Sequence, residues 1–265
     1  IPGITSIETS DLSLEASSLK PTYWTVESKG KARIKISQNT PMVFDITQDT
    51  AKTLFGTSLS GRTKVIKLEA RDISVTPVSG LTPPVKSFGV MDVDIRPKDG
   101  GFVFDIDLRD LNFNGNVAAL LNETFGSYIK QITLSGQAGG LTSLDQNALI
   151  AWQDTGTLSI DDSLYLWGPI NLETKANLQL SPEGPNGDIT LRLGNSSKLL
   201  QTLTTKGLIP RKQAMRVALA FKAAPRAEDG KIETVFPVKN GKGLFLGQTV
   251  FEIPPFDFTT PDMPQ

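Results

Sequence analysis

The chain has 265 residues, with 27 basic and 28 acidic side chains and neither cysteine nor histidine. That length suits one large all-β domain or two smaller ones, and a near-neutral balance without a concentrated basic run speaks against a nucleic-acid groove. Lacking Cys and His, the chain has no disulfides, thiolate nucleophile, Cys-ligated metal, ordinary general base or Ser-His-Asp triad, so no cofactor and no enzyme activity are expected.

Taken in chain order, most segments read as short alternating strands separated by Gly, Pro, Asn or Asp. They are Ser10–Ala16, Tyr23–Ser28, Lys31–Ser37, Lys64–Thr76, Gly89–Arg96, Phe102–Leu111, Lys130–Leu134, Gly156–Tyr165, Asn171–Leu180, Asp188–Leu193, Ala214–Phe221 and both arms of a C-terminal hairpin. Helical spacing is confined to Asn116–Tyr128, with Asn116 as N-cap, Leu144–Gln153, Asn195–Lys206 and the weaker Asp49–Phe55. The fold class expected is mainly β: a long curved antiparallel sheet, an open barrel or a sandwich, with a few short helices packed on one side. Residues 1–265 read as a single domain containing two β-β-α-β units in tandem, 86–136 and 170–222, closed by a hairpin at 230–258. Chance recurrence of a common unit is the alternative to duplication.

Two hairpins contrast. In MDVDI and FDIDLR, Met91–Ile95 and Phe104–Arg109, a turn at Asp99-Gly100 sets Asp94 across from Asp105 and Asp92 across from Asp107. Like charges directly opposite cost about 0.2–1 kcal/mol per pair, so a cation should offset them. The plain reading is a solvated face served by Arg96, Arg109, Lys64 and Lys67; a calcium site formed by Asp92, Asp94, Asp105 and Asp107 is the sharper one. A carboxylate-pair glycosidase is the least favoured, since a regular row on an open strand shows no cleft for a proton donor. In ETVFPVKNGKGLFLGQ the Asn240-Gly241 turn places Phe236 opposite Phe245 and Val235 opposite Leu246, giving a hairpin with two apolar faces. Around Leu164–Leu172, Leu164 and Leu166 likewise oppose Tyr165 and Trp167. Trp24, Trp152 and Trp167 read as core anchors ahead of a sugar platform, and Asp161-Asp162 as a turn. Asn122-Glu-Thr and Asn195-Ser-Ser match the glycosylation pattern, a weak signal.

No stretch approaches about 18 consecutive apolar residues, so no membrane span is expected. No Gly-rich phosphate loop is placed between a strand and a helix, and no nucleotide site follows. The start at Ile-Pro-Gly reads as a processed or trimmed product.

LYLWGPINLETKANLQLSPEGPNGDITLRL, the LLQTL helix, and VFPVKNGKGLFLGQTVFEIPPF resemble a bacterial family classed as domain of unknown function 2125, most strongly over the last hundred residues. PTYWTVESKG, Pro21–Gly30, resembles the family's middle region. The resemblance implies an exported, periplasmic or envelope protein, sometimes anchored at its N-terminus, and supplies no catalytic residue. Two functions remain in view. One is non-catalytic binding or transfer of an apolar ligand such as a lipid, on a face including Val235, Phe236, Leu244, Phe245, Leu246, Leu166 and Trp167. The other is a structural or protein-interaction domain whose second apolar face packs on a partner or another sheet.

Overall fold

The computed structural model describes residues 4–16, 22–36, 42–80, 82–245 and 247–258. Thirteen strands follow one another across a single antiparallel sheet in sequence order, β1(Ile4–Ala16), β2(Tyr23–Ile36), β3(Met42–Thr57), β4(Thr63–Ser79), β5(Val85–Lys98), β6(Gly101–Phe113), β7(Tyr128–Gly139), β8(Thr157–Trp167), β9(Ile170–Gln179), β10(Asn186–Gly194), β11(Ile232–Lys239), β12(Lys242–Phe245) and β13(Gln248–Glu252). The sheet is long, curved and not closed, so of the architectures expected the open sheet is the one formed, and neither a barrel nor a sandwich. Its accessible surface is 16049 Å², against about 11,000 Å² for a compact monomer of 28.6 kDa. A large area of sheet therefore stays in water.

Four helices interrupt the meander: α1(Gly115–Thr124), α2(Gln146–Thr155), α3(Ser196–Thr205) and α4(Arg211–Ala223). The N-cap of α1 is Asn114, two residues before the one expected. Asp145 caps α2 by accepting from the Ala148 amide. By connectivity α2 lies at one end of the sheet, between β7 and β8, and α1, α3 and α4 at the other. The Lys206 ammonium donates to the Asn122 carbonyl, tying the end of α3 to α1.

Three sequence readings are corrected. Ala214–Phe221 is helix within α4, although Val217, Leu219 and Phe221 alternate as in a strand. Ala, Arg, Lys, Met and Leu are strong helix formers and Pro210 opens the helix, so composition overrides the short alternation. The second unit, 170–222, accordingly runs hairpin, helix, helix, where 86–136 runs hairpin, helix, strand. Asp49–Phe55 is strand within β3, because pairing with both β2 and β4 outweighs a weak helical spacing. Asp161-Asp162 is no turn but an irregularity inside β8. The pairing slips between Ile160 and Leu164, and the fully buried Ser163 hydroxyl donates to the Thr174 carbonyl and accepts from its amide.

Both turns expected at hairpin centres are present. Asn240 and Gly241 have φ of 48° and 74°, and Lys239 pairs Lys242 across them, as a type I′ turn requires. Across the aspartate hairpin, Asp94 faces Asp105 and Asp92 faces Asp107.

Candidate functional site: an apolar face covered at one end

Because side chains alternate along every strand, the register sorts the whole sheet into two faces. One row reads Trp24, Phe55, Ile66, Ile95, Phe104, Gly136, Ile160, Ala176, Ile189, Phe236 from β2 to β11. Two residues along each early strand, Leu14, Val26, Thr53, Leu68, Val93, Ile106 and Leu134 form a second row. A third carries Leu12, Ser28, Ala51, Ala70, Met91, Leu108, Ile132, Tyr165, Leu172, Leu193 and Ile232. Where Gly136 interrupts the first row, the tip of the Phe104 ring lies 2.7 Å from the position a Cβ would take. The face is thus a nearly unbroken apolar strip.

The opposite face is charged. Glu27, Lys52, Glu69, Asp92, Asp107, Thr133, Leu164, Glu173, Arg192 and Glu233 form one of its rows. Here the four aspartates have their cations: Arg71 reaches Asp92 at 2.5 and 3.0 Å, Arg96 reaches Asp94 at 2.9 Å and Asp105 at 3.3 Å, and Arg109 grips Asp107. Lys67, expected as a neighbour, pairs Glu69 at 2.7 Å; that contact, with Asp94 and Asp92 nearby, raises its pKa. The aspartates line a shallow depression of about 360 Å³ open to solvent. Among the described residues no group of three or more acidic side chains is disposed to hold a metal ion. Charge offset by guanidinium groups is what this arrangement provides.

Cover on the apolar face is uneven. At the α2 end, Phe102, Ala138, Leu141, Trp152 and Leu180 form a buried cluster, with Ile95, Leu158, Phe256 and Phe258 packed around it. Trp152 donates its indole N–H to the Gly139 carbonyl at 2.9 Å, and Phe256 and Phe258 stack on each other with centroids 6.3 and 6.2 Å from Trp152. A second cluster, Ala176, Leu178, Ile189 and Val238, is joined by Phe251 and Ile253. In β1 to β4 nothing comparable is found among the described residues: Leu12 and Leu14 are 60% and 62% exposed, Trp24 42% and Phe55 40%. Between these limits Ile66, Leu68, Met91, Val93, Ile106 and Leu134 are all half-buried.

The ligand residues expected from sequence do not form one site. Phe236 belongs to the apolar face, with ring centroids 5.8 Å from Phe245 and 5.6 Å from Phe251. Val235 lies on the charged face, paired with Thr190, and is exposed; Leu166 sits there too, between Gln131 and Asn171. Trp167 is an anchor, edge-on to Phe125 and donating to the Gly126 carbonyl at 2.6 Å. Leu244 is half-buried, and Leu246 falls outside the described residues. Of the three tryptophans, Trp152 and Trp167 are anchors and Trp24 is not. The open part of the strip, Leu12, Leu14, Trp24 and Phe55, was missed because each lies in a strand whose other face is polar. Alternation shows that such residues point to one side, not whether that side is covered.

What the geometry offers chemically is an extended apolar surface backed by a charged one. Neither a curated protein nor a solved structure matches the chain. The sequence model of the family described as "Uncharacterized protein conserved in bacteria (DUF2125)" matches residues 4–249, nearly the whole length rather than the last hundred residues in particular. The chain belongs to that bacterial family.

Proposed function

We propose that this is a non-catalytic protein of the bacterial envelope that holds or passes lipid acyl chains along the apolar face of its sheet. One observation carries the reading: the strip that α2, Phe256 and Phe258 cover at one end continues to Leu12, Leu14, Trp24 and Phe55 with no cover among the described residues. Exposed apolar area costs about 25 cal/mol per Å², so a contiguous strip of this kind favours an apolar occupant. Acyl chains suit it because they need length and oiliness and no directional hydrogen bonds.

The direct test is fluorescence of cis-parinaric acid, which brightens on leaving water. Binding that is lost in the double variant Trp24→Asp, Phe55→Asp supports the reading; wild-type protein that leaves the probe dark sinks it. A second reading, an interaction domain, draws on β1, which pairs on one side alone among the described residues. It predicts that Trp24 is shielded in a stable oligomer or complex, visible as a loss of iodide quenching with rising protein concentration.

A further inference from the structure

Charge is distributed less evenly along the chain than its total suggests. From Ile189 to Ala227 there are eight cations, Arg192, Lys198, Lys206, Arg211, Lys212, Arg216, Lys222 and Arg226, and no acid. The other 226 residues hold 19 cations and all 28 acids. This stretch builds α3 and α4, which pack on each other at the end of the sheet opposite α2.

The faces of α4 divide cleanly. Ala214, Val217, Ala218 and Phe221 recur at i, i+3, i+4 and i+7 and are buried or half-buried. Lys212, Met215, Arg216 and Leu219 repeat the same spacing one turn-face away, and all four are exposed, Met215 at 69% and Leu219 at 62%. Arg211 and Lys222 flank them, and Leu208 in the preceding turn is exposed as well. Among the described residues none of Lys198, Arg211, Lys212, Arg216 or Lys222 has an acidic partner. A surface helix satisfied by water has no use for two large apolar side chains at its centre. Cations alone would suit nucleic acid, but the outward face offers Met and Leu rather than aromatic rings for bases. On this one exposed face the cations can meet anionic headgroups while Met215 and Leu219 reach the acyl boundary, a combination that suits the surface of an anionic bilayer.

We propose that the outward face of α4, carrying Lys212, Met215, Arg216 and Leu219, docks the protein on an anionic lipid surface. The proposal adds a membrane-contact surface to the groove reading without resting on it: α4 lies between β10 and β11, away from the open strip of β1 to β4, so the two can fail separately. The test is flotation of the purified chain with vesicles of mixed phosphatidylglycerol and phosphatidylcholine, against phosphatidylcholine alone. Wild-type protein should float with the anionic vesicles, stay behind with the neutral ones, and be released as salt rises.

Lys212→Gln with Arg216→Gln should weaken partitioning about 25-fold, at about fivefold per cation. Met215→Ser with Leu219→Ser should weaken it at least about tenfold, since both side chains then lose their apolar contact with the interface. All four positions are exposed, so thermal melting should be unchanged; were a variant to unfold, the salt titration of the wild type still decides. Equal flotation with neutral vesicles, no flotation with either, or variants that bind like wild type would each overturn the proposal. So would duplex RNA that binds as tightly as vesicles and ignores Met215→Ser, Leu219→Ser. The Trp24→Asp, Phe55→Asp variant should still float; wild-type protein that binds the soluble probe but floats with neither vesicle removes the docking proposal and leaves the groove reading intact.

Discussion

The two ends of one apolar face behave differently although their strands have the same pattern. Phe104 and Phe55 lie in the same cross-strand row. Near the first, α2, through Trp152, and the tail residues Phe256 and Phe258 close over Phe102. Near the second, no element among the described residues closes over the sheet, and Phe55 and Trp24 stay in water. The same apolar side chain is therefore a source of stability at one end and a potential contact for a ligand at the other. What separates the roles is a helix between β7 and β8 and a return of the chain after β13, not the strands themselves.

Mutations sharpen that contrast. The largest effect is expected at the covered end: Phe102→Ala should cost about 3–5 kcal/mol in urea unfolding, because the ring is 2% exposed and its cavity is walled by α2. A loss below about 1 kcal/mol would mean the cover is loose and the two ends are alike. Phe55→Ala at the open end should change stability by no more than about 1 kcal/mol while reducing cis-parinaric acid binding at least several-fold. A drop comparable to that of Phe102→Ala would break the comparison from the other side.

The charged face should be less sensitive still. Arg71→Met leaves Asp92 opposite Asp107 without its guanidinium, and should cost about 0.2–1 kcal/mol. Adding Asp92→Asn should recover most of that loss in a double-mutant cycle; no recovery would mean that Arg71 acts through packing instead.

The smallest change is expected with pH. With no histidine, stability measured by thermal melting should be nearly flat between about pH 5 and 8. The Arg33 guanidinium holds the Asp45 carboxyl below its ordinary value, the Lys35 ammonium does so for Glu8, and Lys67 for Glu69. A lowered folded pKa means stability that is present above the unfolded value, near 4, and lost as pH falls through the folded ones. Tyr128, raised by its hydrogen bond to Asp110, and Lys67 and Lys231, raised by Glu69 and by Asp229 and Glu173, act in the opposite sense. Their contribution holds below the unfolded values and is lost as pH rises through the folded ones, which sets an alkaline limb above about pH 10. A step in melting temperature within the flat window would show that a group outside these pairs is coupled to folding.

Much of this was legible in advance. Alternation marked most strands, Asn240-Gly241 marked a two-residue turn, and the aspartates set their own register, since a slip of one would oppose Asp and Phe. Failures came where two local signals competed. Val217, Leu219 and Phe221 alternate like a strand but sit among strong helix formers, and Asp49–Phe55 has helical spacing but two strands to pair with. The acid-free stretch before Glu228 was present as well, hidden by a net charge of −1 for the whole chain.

By itself the sequence determined the antiparallel meander and the sorting of side chains into an apolar and a charged face, because a period of two and short turns are local properties. It also dictated the absence of histidine and thiol chemistry. The tertiary structure alone decided which part of the apolar face is covered. Cover depends on where α2 and residues 256–258 land, and those contacts join positions more than a hundred residues apart: the Phe258 amide reaches the side chain of Gln153. Burial is a property of distant chain segments meeting, and no local pattern at Trp24 or Phe55 records that none of the described segments covers them.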